Sequence, residues 1–270
     1  MSLFSTLLCD TSAASNQNGV PTPRGNGRRE VTMTDVQTST FNVGPASYPI
    51  DRYVQSGSSK LPVVVILHGV DGMVGESETE IRKLAAQIAG DGYAVFLPHY
   101  FGAEPAGATT PPVEVLLQRT STADNMRPRI AAAVKYSLAQ PESDAGRLGL
   151  VGLSLGGGLA LWFAESAPSG SVRAVVDFFG HISDPAIYAH ANTLPPTLVF
   201  HNKPDGVVPS KTPVDLLAVL KQQGVVHDGT IYDKEPPYPE RLEHTFRPGE
   251  PADVDSRART RKWLDTYVKP

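Results

Sequence analysis

Three residues of this chain have the types and the order that nucleophilic acyl chemistry requires. Ser154 lies between Gly152 and Gly156, and a serine hydroxyl becomes a nucleophile at neutral pH when an adjacent base takes its proton. His244, in Glu243-His244-Thr245-Phe246, is the candidate base. Asp205, in Lys203-Pro204-Asp205-Gly206, is the candidate acid that orients it. Asp233 also comes after an apolar run and competes for that role; the order serine, aspartate, histidine and the turn residues around Asp205 favour Asp205. The tetrahedral intermediate of such chemistry carries an oxyanion, which needs preorganised donors. The backbone N–H groups of Leu155 and of Val70, the latter in His68-Gly69-Val70-Asp71-Gly72, are the expected pair.

These groups act together only if the backbone brings them to one edge. Residues 148–153 form a short apolar run that must turn sharply at Ser154 into a helix-forming stretch. Glycines two residues to either side are expected where strand and helix backbones pass too closely for a Cβ. The helix then starts beneath the serine, with unpaired N–H groups and its positive dipole end aimed at the developing charge. Residues 61–67, LPVVVIL, read as a central parallel strand buried on both faces, with proline tolerated at its start. Further strands are expected at 93–97, 172–179, 196–201 and 226–232, and antiparallel edge strands within 38–55. Helices are expected at 76–89, at 124–140 with Asp124 as its cap, at 213–223 and at 257–268. Alternating strands and helices predict an α/β fold with a mainly parallel sheet and helices on both faces. The Gly-, Ala-, Thr- and Pro-rich stretch 102–112 is a candidate lid or pocket wall. Residues 1–37 read as a flexible polar tail and 38–270 as one domain, with Met33 an alternative start.

Composition narrows the function classes. At 270 residues, with 40% hydrophobic and 19% charged residues, the chain is ordinary globular material. A net charge of −4 without clustered Lys and Arg excludes a nucleic-acid surface. The single cysteine, Cys9, excludes an intramolecular disulfide and a cysteine-based metal site. The opening MSLFSTLLC has no basic region and is interrupted by Ser5 and Thr6, so no export signal and a cytoplasmic location are expected. No apolar run reaches membrane-spanning length. Of seven histidines, His190 and His227 read as surface or helix positions, while His68, His99, His181 and His201 end inner strands. Without a paired-histidine motif no metal is expected, and His68 and His201 read as structural or pocket residues.

Taken in order, LGLVGLSLGGGLAL, HNKPDGVVP, EHTF and RTRKWLD resemble the dienelactone hydrolase family of the α/β-hydrolase superfamily over residues 40–268. The resemblance implies the α/β-hydrolase fold, Ser154 as nucleophile, Asp205 as acid, His244 as base, and Val70 and Leu155 as oxyanion donors. It also implies a substrate pocket lined by Tyr100, which matches the tyrosine after the strand that precedes the variable loop, and by the surroundings of His181. The dienelactone-cleaving members carry a cysteine nucleophile and a glutamate after the third strand; here those positions hold Ser154 and Gly69. Their substrate-carboxylate arginine is Pro248 here, with Arg247 one residue short. These departures imply a carboxylic-ester hydrolase acting on a small-molecule ester without a cofactor. Competing readings are a thioesterase or acyltransferase on the same site, marked by water exclusion and an acceptor pocket, and a ligand-binding protein of the same fold. No oligomeric state can be read from the sequence.

Overall fold

The described residues begin with a hairpin. Strands β1 (Asp35–Val43) and β2 (Ala46–Val54) pair antiparallel about Gly44, whose φ of 55° is adopted most readily by a residue without a Cβ. The structure, a computed structural model, describes residues 35–105, 107–233 and 244–270. The tail with Cys9 and Met33 and the proline-rich segment 235–240 lie outside the described residues. Pairing of Asp35 with Val54 starts β1 before Thr38, where the sequence pattern places the first strand.

Strands and helices then alternate: β3 (Leu61–Leu67), α1 (Gly75–Gly90), β4 (Ala94–Pro98), α2 (Val113–Ser121), α3 (Arg127–Leu138), β5 (Ser143–Leu153) and α4 (Leu155–Ser166). They continue as β6 (Ala174–Phe178), α5 (Ala186–Ala189), β7 (Thr197–Asn202), α6 (Lys211–Gln222), β8 (His227–Tyr232) and α7 (Pro251–Tyr267). One eight-stranded sheet results, in the order β1-β2-β4-β3-β5-β6-β7-β8. The pairs β1–β2 and β2–β4 are antiparallel and the rest parallel, as the alternation requires.

The inner strands read as unbroken apolar runs because both of their faces are covered. Val63, Val65 and Leu67 point into a core with Ile130 and Val134 of α3 and Leu159 of α4. The alternate residues Val64 and Ile66 point the other way, against Leu84 and Ile88 of α1 and Leu264 of α7. Period-two alternation therefore divides one strand between two cores.

Two helix starts differ from expectation, and one helix was not expected. Asp124 does not cap a helix: it lies in a 3-10 turn, Ala123–Met126, and pairs with Arg127 at 2.9 Å. Pro128, in the first turn of α3, sets the start instead. The last helix begins at Pro251 rather than Arg257, again with proline in the first turn. Helix α2 has apolar Val113, Leu116 and Leu117 at helical spacing behind Pro112, yet buries no residue.

Candidate active site

Ser154 joins β5 to α4 with φ 54° and ψ −121°, a conformation rare for a side-chain-bearing residue. The turn holds because its neighbours over-determine it. The Ser154 N–H donates to the Phe178 carbonyl at 2.9 Å, and the Ser154 carbonyl accepts the His181 N–H at 3.0 Å. A Cβ on Gly152 would meet the Gly156 carbonyl oxygen at 2.3 Å, and one on Gly156 would meet that of Leu67 at 2.2 Å. The elbow glycines thus stand where strand and helix backbones touch. The next two have the same reason: Cβ atoms on Gly157 and Gly158 would meet the Asp177 Oδ1 and the His181 carbonyl at 2.1 and 2.0 Å.

The loop ends of β5, β7 and β8 bring the three sequence-predicted side chains together. His244 Nε2 is 2.8 Å from Ser154 Oγ, and His244 Nδ1 is 2.7 Å from Asp205 Oδ2. Asp205 Oδ1 accepts the backbone N–H groups of Val207 and Val208 at 2.7 and 2.9 Å. Burial pushes the Asp205 carboxyl up, but the hydrogen bond and charge of His244, with those two N–H groups, outweigh it and hold the pKa below the ordinary carboxylate value. Asp205 is therefore placed as an ionised acceptor on the imidazole. Asp233 is elsewhere, largely exposed and paired with Lys203 at 3.0 Å.

The loop after β3 passes over the serine: a Cβ on Gly69 would lie 3.4 Å from that of Ser154. Leu155 opens α4, where N–H groups lack intrahelical acceptors, and the Val70 N–H has no backbone acceptor among the described residues. Neither N–H is spent on a backbone acceptor among the described residues. Beside them lies a cleft of about 340 Å³ with apolar walls from Ile81, Leu84, Leu116, Phe178, Phe179 and Phe246. Asp71, Glu76, Glu80 and Asp253 also line it, as does Arg257, whose guanidinium is engaged by Asp253 at 2.5 Å and Glu80 at 3.1 Å. Pro248 also lines it.

Tyr100 and His181 do not line this cleft. Tyr100 is fully buried, stacks on the His68 ring at 3.9 Å, and donates its hydroxyl hydrogen to the His68 carbonyl, so it supports the loop from beneath. His181 contributes backbone, holding the Ser154 carbonyl from behind. The direction of a side chain after a strand end decides both cases. The remaining histidines are structural. His68 Nδ1 bonds the Gly69 carbonyl at 2.8 Å, and burial lowers its pKa to about 3, so it stays neutral. His201 Nε2 bonds the Val208 carbonyl at 3.0 Å, and His99 Nε2 lies 2.7 Å from Asp51. His190 is an exposed partner of Glu165, whereas His227 begins β8 rather than lying on a helix. Among the described residues no group of three His, Cys, Asp or Glu is arranged to hold a metal ion, and no helix is long and apolar enough to cross a membrane.

Sequence reasoning missed two features of this region. Arg119 on α2 bonds the loop after β3; the i, i+3, i+4 spacing of Val113, Leu116 and Leu117 would have revealed its helix. Asp177 is buried beside the elbow, facing Gly152 across the β5–β6 ladder. Its signal is a lone carboxylate within the apolar run AVVDFF.

Known proteins resemble this chain in sequence family and fold. The family model described as "Dienelactone hydrolase family" matches residues 50–268. The carboxymethylenebutenolidase homolog of Rattus norvegicus is 27% identical over 207 residues, covering 74% of this chain and 81% of that protein. A putative dienelactone hydrolase from Klebsiella pneumoniae superposes with a TM-score of 0.70 at 18% identity, over 87% of this chain and all of that one (100%). The acylaminoacyl peptidase of Pyrococcus horikoshii gives 0.68 at 16% identity, over 93% of this chain and 45% of that one. The shared fold is the α/β-hydrolase fold. With its match running from the second strand to the last helix, this chain is a hydrolase that belongs to the dienelactone hydrolase family.

Proposed function

We propose that this chain hydrolyses carboxylic esters of small, largely apolar molecules through an acyl-enzyme on Ser154. The observation that carries the reading is the relay of 2.8 and 2.7 Å from Ser154 Oγ through His244 to Asp205, opening onto an apolar cleft. His244 Nε2 takes the serine proton as Oγ attacks the ester carbonyl. The Val70 and Leu155 N–H groups receive the oxyanion, and Asp205 keeps Nδ1 protonated and the ring oriented. His244 then gives its proton to the leaving alcohol, takes one from a water that attacks the acyl carbonyl, and returns it to Ser154.

The cleft also points to the substrate. Its walls combine aliphatic and aromatic side chains with the carboxylates of Asp71, Glu76, Glu80 and Asp253, and the cation that lines it, Arg257, is neutralised by Asp253 and Glu80. Pro248 stands where the resemblance places a substrate-carboxylate arginine. A neutral ester fits these surroundings better than an anionic lactone, because a buried carboxylate needs a free partner.

The test is hydrolysis of p-nitrophenyl esters of rising acyl length by the wild type and by Ser154→Ala. The expected result is turnover with an optimum at an intermediate chain length, and loss of nearly all of it in the variant. Turnover unchanged in Ser154→Ala would overturn the reading; stabilisation by esters without turnover would favour a ligand-binding protein.

A further inference from the structure

The loop that carries Val70 is held on two sides. From beneath, Tyr100 bonds the His68 carbonyl and His68 bonds the Gly69 carbonyl, the oxygen of the same peptide unit that carries the Val70 N–H. From outside, one nitrogen of Arg119, Nη1, donates to the carbonyls of both Val70 (3.2 Å) and Asp71 (2.8 Å). The other, Nη2, donates to Glu104 Oε1 at 2.6 Å, and the guanidinium lies 4.3 Å over the Phe101 ring. Only 17% of the Arg119 side chain and 19% of that of Glu104 is exposed, so these bonds are largely sheltered from water. The loop is shaped to receive the pair: at Gly72, φ is +87° and a Cβ would meet Glu104 Oε1 at 2.9 Å and Arg119 Nη1 at 3.1 Å.

Apolar burial does not explain what holds α2 here. The helix buries no residue, and Val113 and Leu117 face solvent. Leu116 forms part of the cleft wall, and Arg119, one turn on, reaches the loop. From this geometry we infer that Arg119 is a positioning residue of the oxyanion hole, fixing the Val70 N–H at the place where the tetrahedral oxygen develops. Charge-assisted bonds to two successive carbonyls define the loop's path more tightly than one neutral bond. A donor displaced by about 1 Å loses most of its value in the transition state while leaving ground-state binding nearly unchanged.

The inference rests on the serine-hydrolase reading above, and the experiment separates the two. Arg119→Met keeps the length of the side chain and removes its donors; Glu104→Gln is a milder second variant should the first fail to fold. Each is compared with the wild type in kcat and KM on the best ester, in affinity for an alkyl boronic acid that forms a tetrahedral adduct on Ser154, and in amide hydrogen exchange of residues 69–72. The expected result for Arg119→Met is a fall in kcat of about 10²-fold with KM changed less than about threefold. Boronate affinity falls in step with kcat/KM, and exchange in the loop rises. Glu104→Gln moves each quantity the same way by less. A variant that raises KM and keeps kcat, or leaves loop exchange at the wild-type rate, overturns the inference and leaves Arg119 as a tie for the cleft wall. A wild type that neither hydrolyses esters nor binds the boronate removes the serine-hydrolase reading itself, and this inference falls with it.

Discussion

Replacing Gly156 by alanine places a methyl carbon 2.2 Å from the carbonyl oxygen of Leu67 and 2.5 Å from that of His68. A carbon rests against a carbonyl oxygen at about 3.3 Å, so helix and strand must separate by about 1 Å. β3 cannot retreat, being paired with β4 on one side and β5 on the other, so the start of α4 moves. Leu155 lies on the moving element, and Val70 belongs to the loop of the fixed one. The two proposed oxyanion donors therefore part by about the margin that separates a good hydrogen bond from none. Loss of one such donor costs about 10² to 10³ in kcat, and overpacking of this kind costs about 1–3 kcal/mol of stability, which lowers Tm by about 2 to 10 °C in a chain of this size. The assay is kcat/KM on a chromogenic ester together with calorimetric melting. Gly146→Ala serves as control, since its added Cβ meets a single side-chain oxygen at the ordinary distance of 3.4 Å. Should Gly156→Ala keep wild-type turnover and melt within a degree of the wild type, the close approach of β3 and α4 is not what shapes the site.

Buried carboxylates give two more expected outcomes. Asp177 is fully buried with an unpartnered Oδ1, and burial pushes its pKa up from 3.8 to about 7 against the opposing bond from the Gly180 N–H. The folded state then keeps a proton that the unfolded chain releases, so stability is full below about pH 4 and falls as pH rises to about 7, by up to about 4 kcal/mol. Asp177→Asn removes that dependence, and urea unfolding at pH 4.5, 6 and 8 should show a flatter profile; equal pH slopes in both proteins would refute it. Asp205→Asn keeps an oxygen for the Val207 and Val208 N–H groups but can turn an N–H toward His244 and select the wrong tautomer. kcat should fall about 10⁴-fold with little change in Tm, and a loss under tenfold would contradict the role given to Asp205.

Much of this site was legible in the sequence because its parts sit at strand ends that hydrophobic runs mark plainly. LPVVVIL and LGLVGL are read as buried parallel strands from composition alone, and the loops at their C-terminal ends must emerge at the same sheet edge. The G-L-S-L-G pattern implied a backbone too crowded for a Cβ, and the contacts of Gly152 and Gly156 are of that kind. Side-chain direction was not legible. Tyr100 turns beneath the loop and His181 offers its backbone, although both occupy strand-end positions suited to a pocket. α2 was passed over although Val113, Leu116 and Leu117 keep helical spacing, because the helix is short, buries no residue and follows a proline-rich stretch that reads as loop, and Arg119 went with it. Asp177 looked like one polar interruption in a strand, since a single sequence does not show that glycines 157 and 180 crowd around its carboxylate.

The claim on which the rest depends is that Ser154 is activated by His244. Its most direct test is the second-order rate of labelling by a fluorophosphonate, with mass spectrometry of the labelled peptide, in the wild type, Ser154→Ala and His244→Gln. The account predicts stoichiometric phosphonylation of Ser154 in the wild type, none in Ser154→Ala, and labelling slowed by several orders of magnitude in His244→Gln. A wild type whose Ser154 stays unlabelled, or a His244→Gln variant labelled at the wild-type rate, would contradict it.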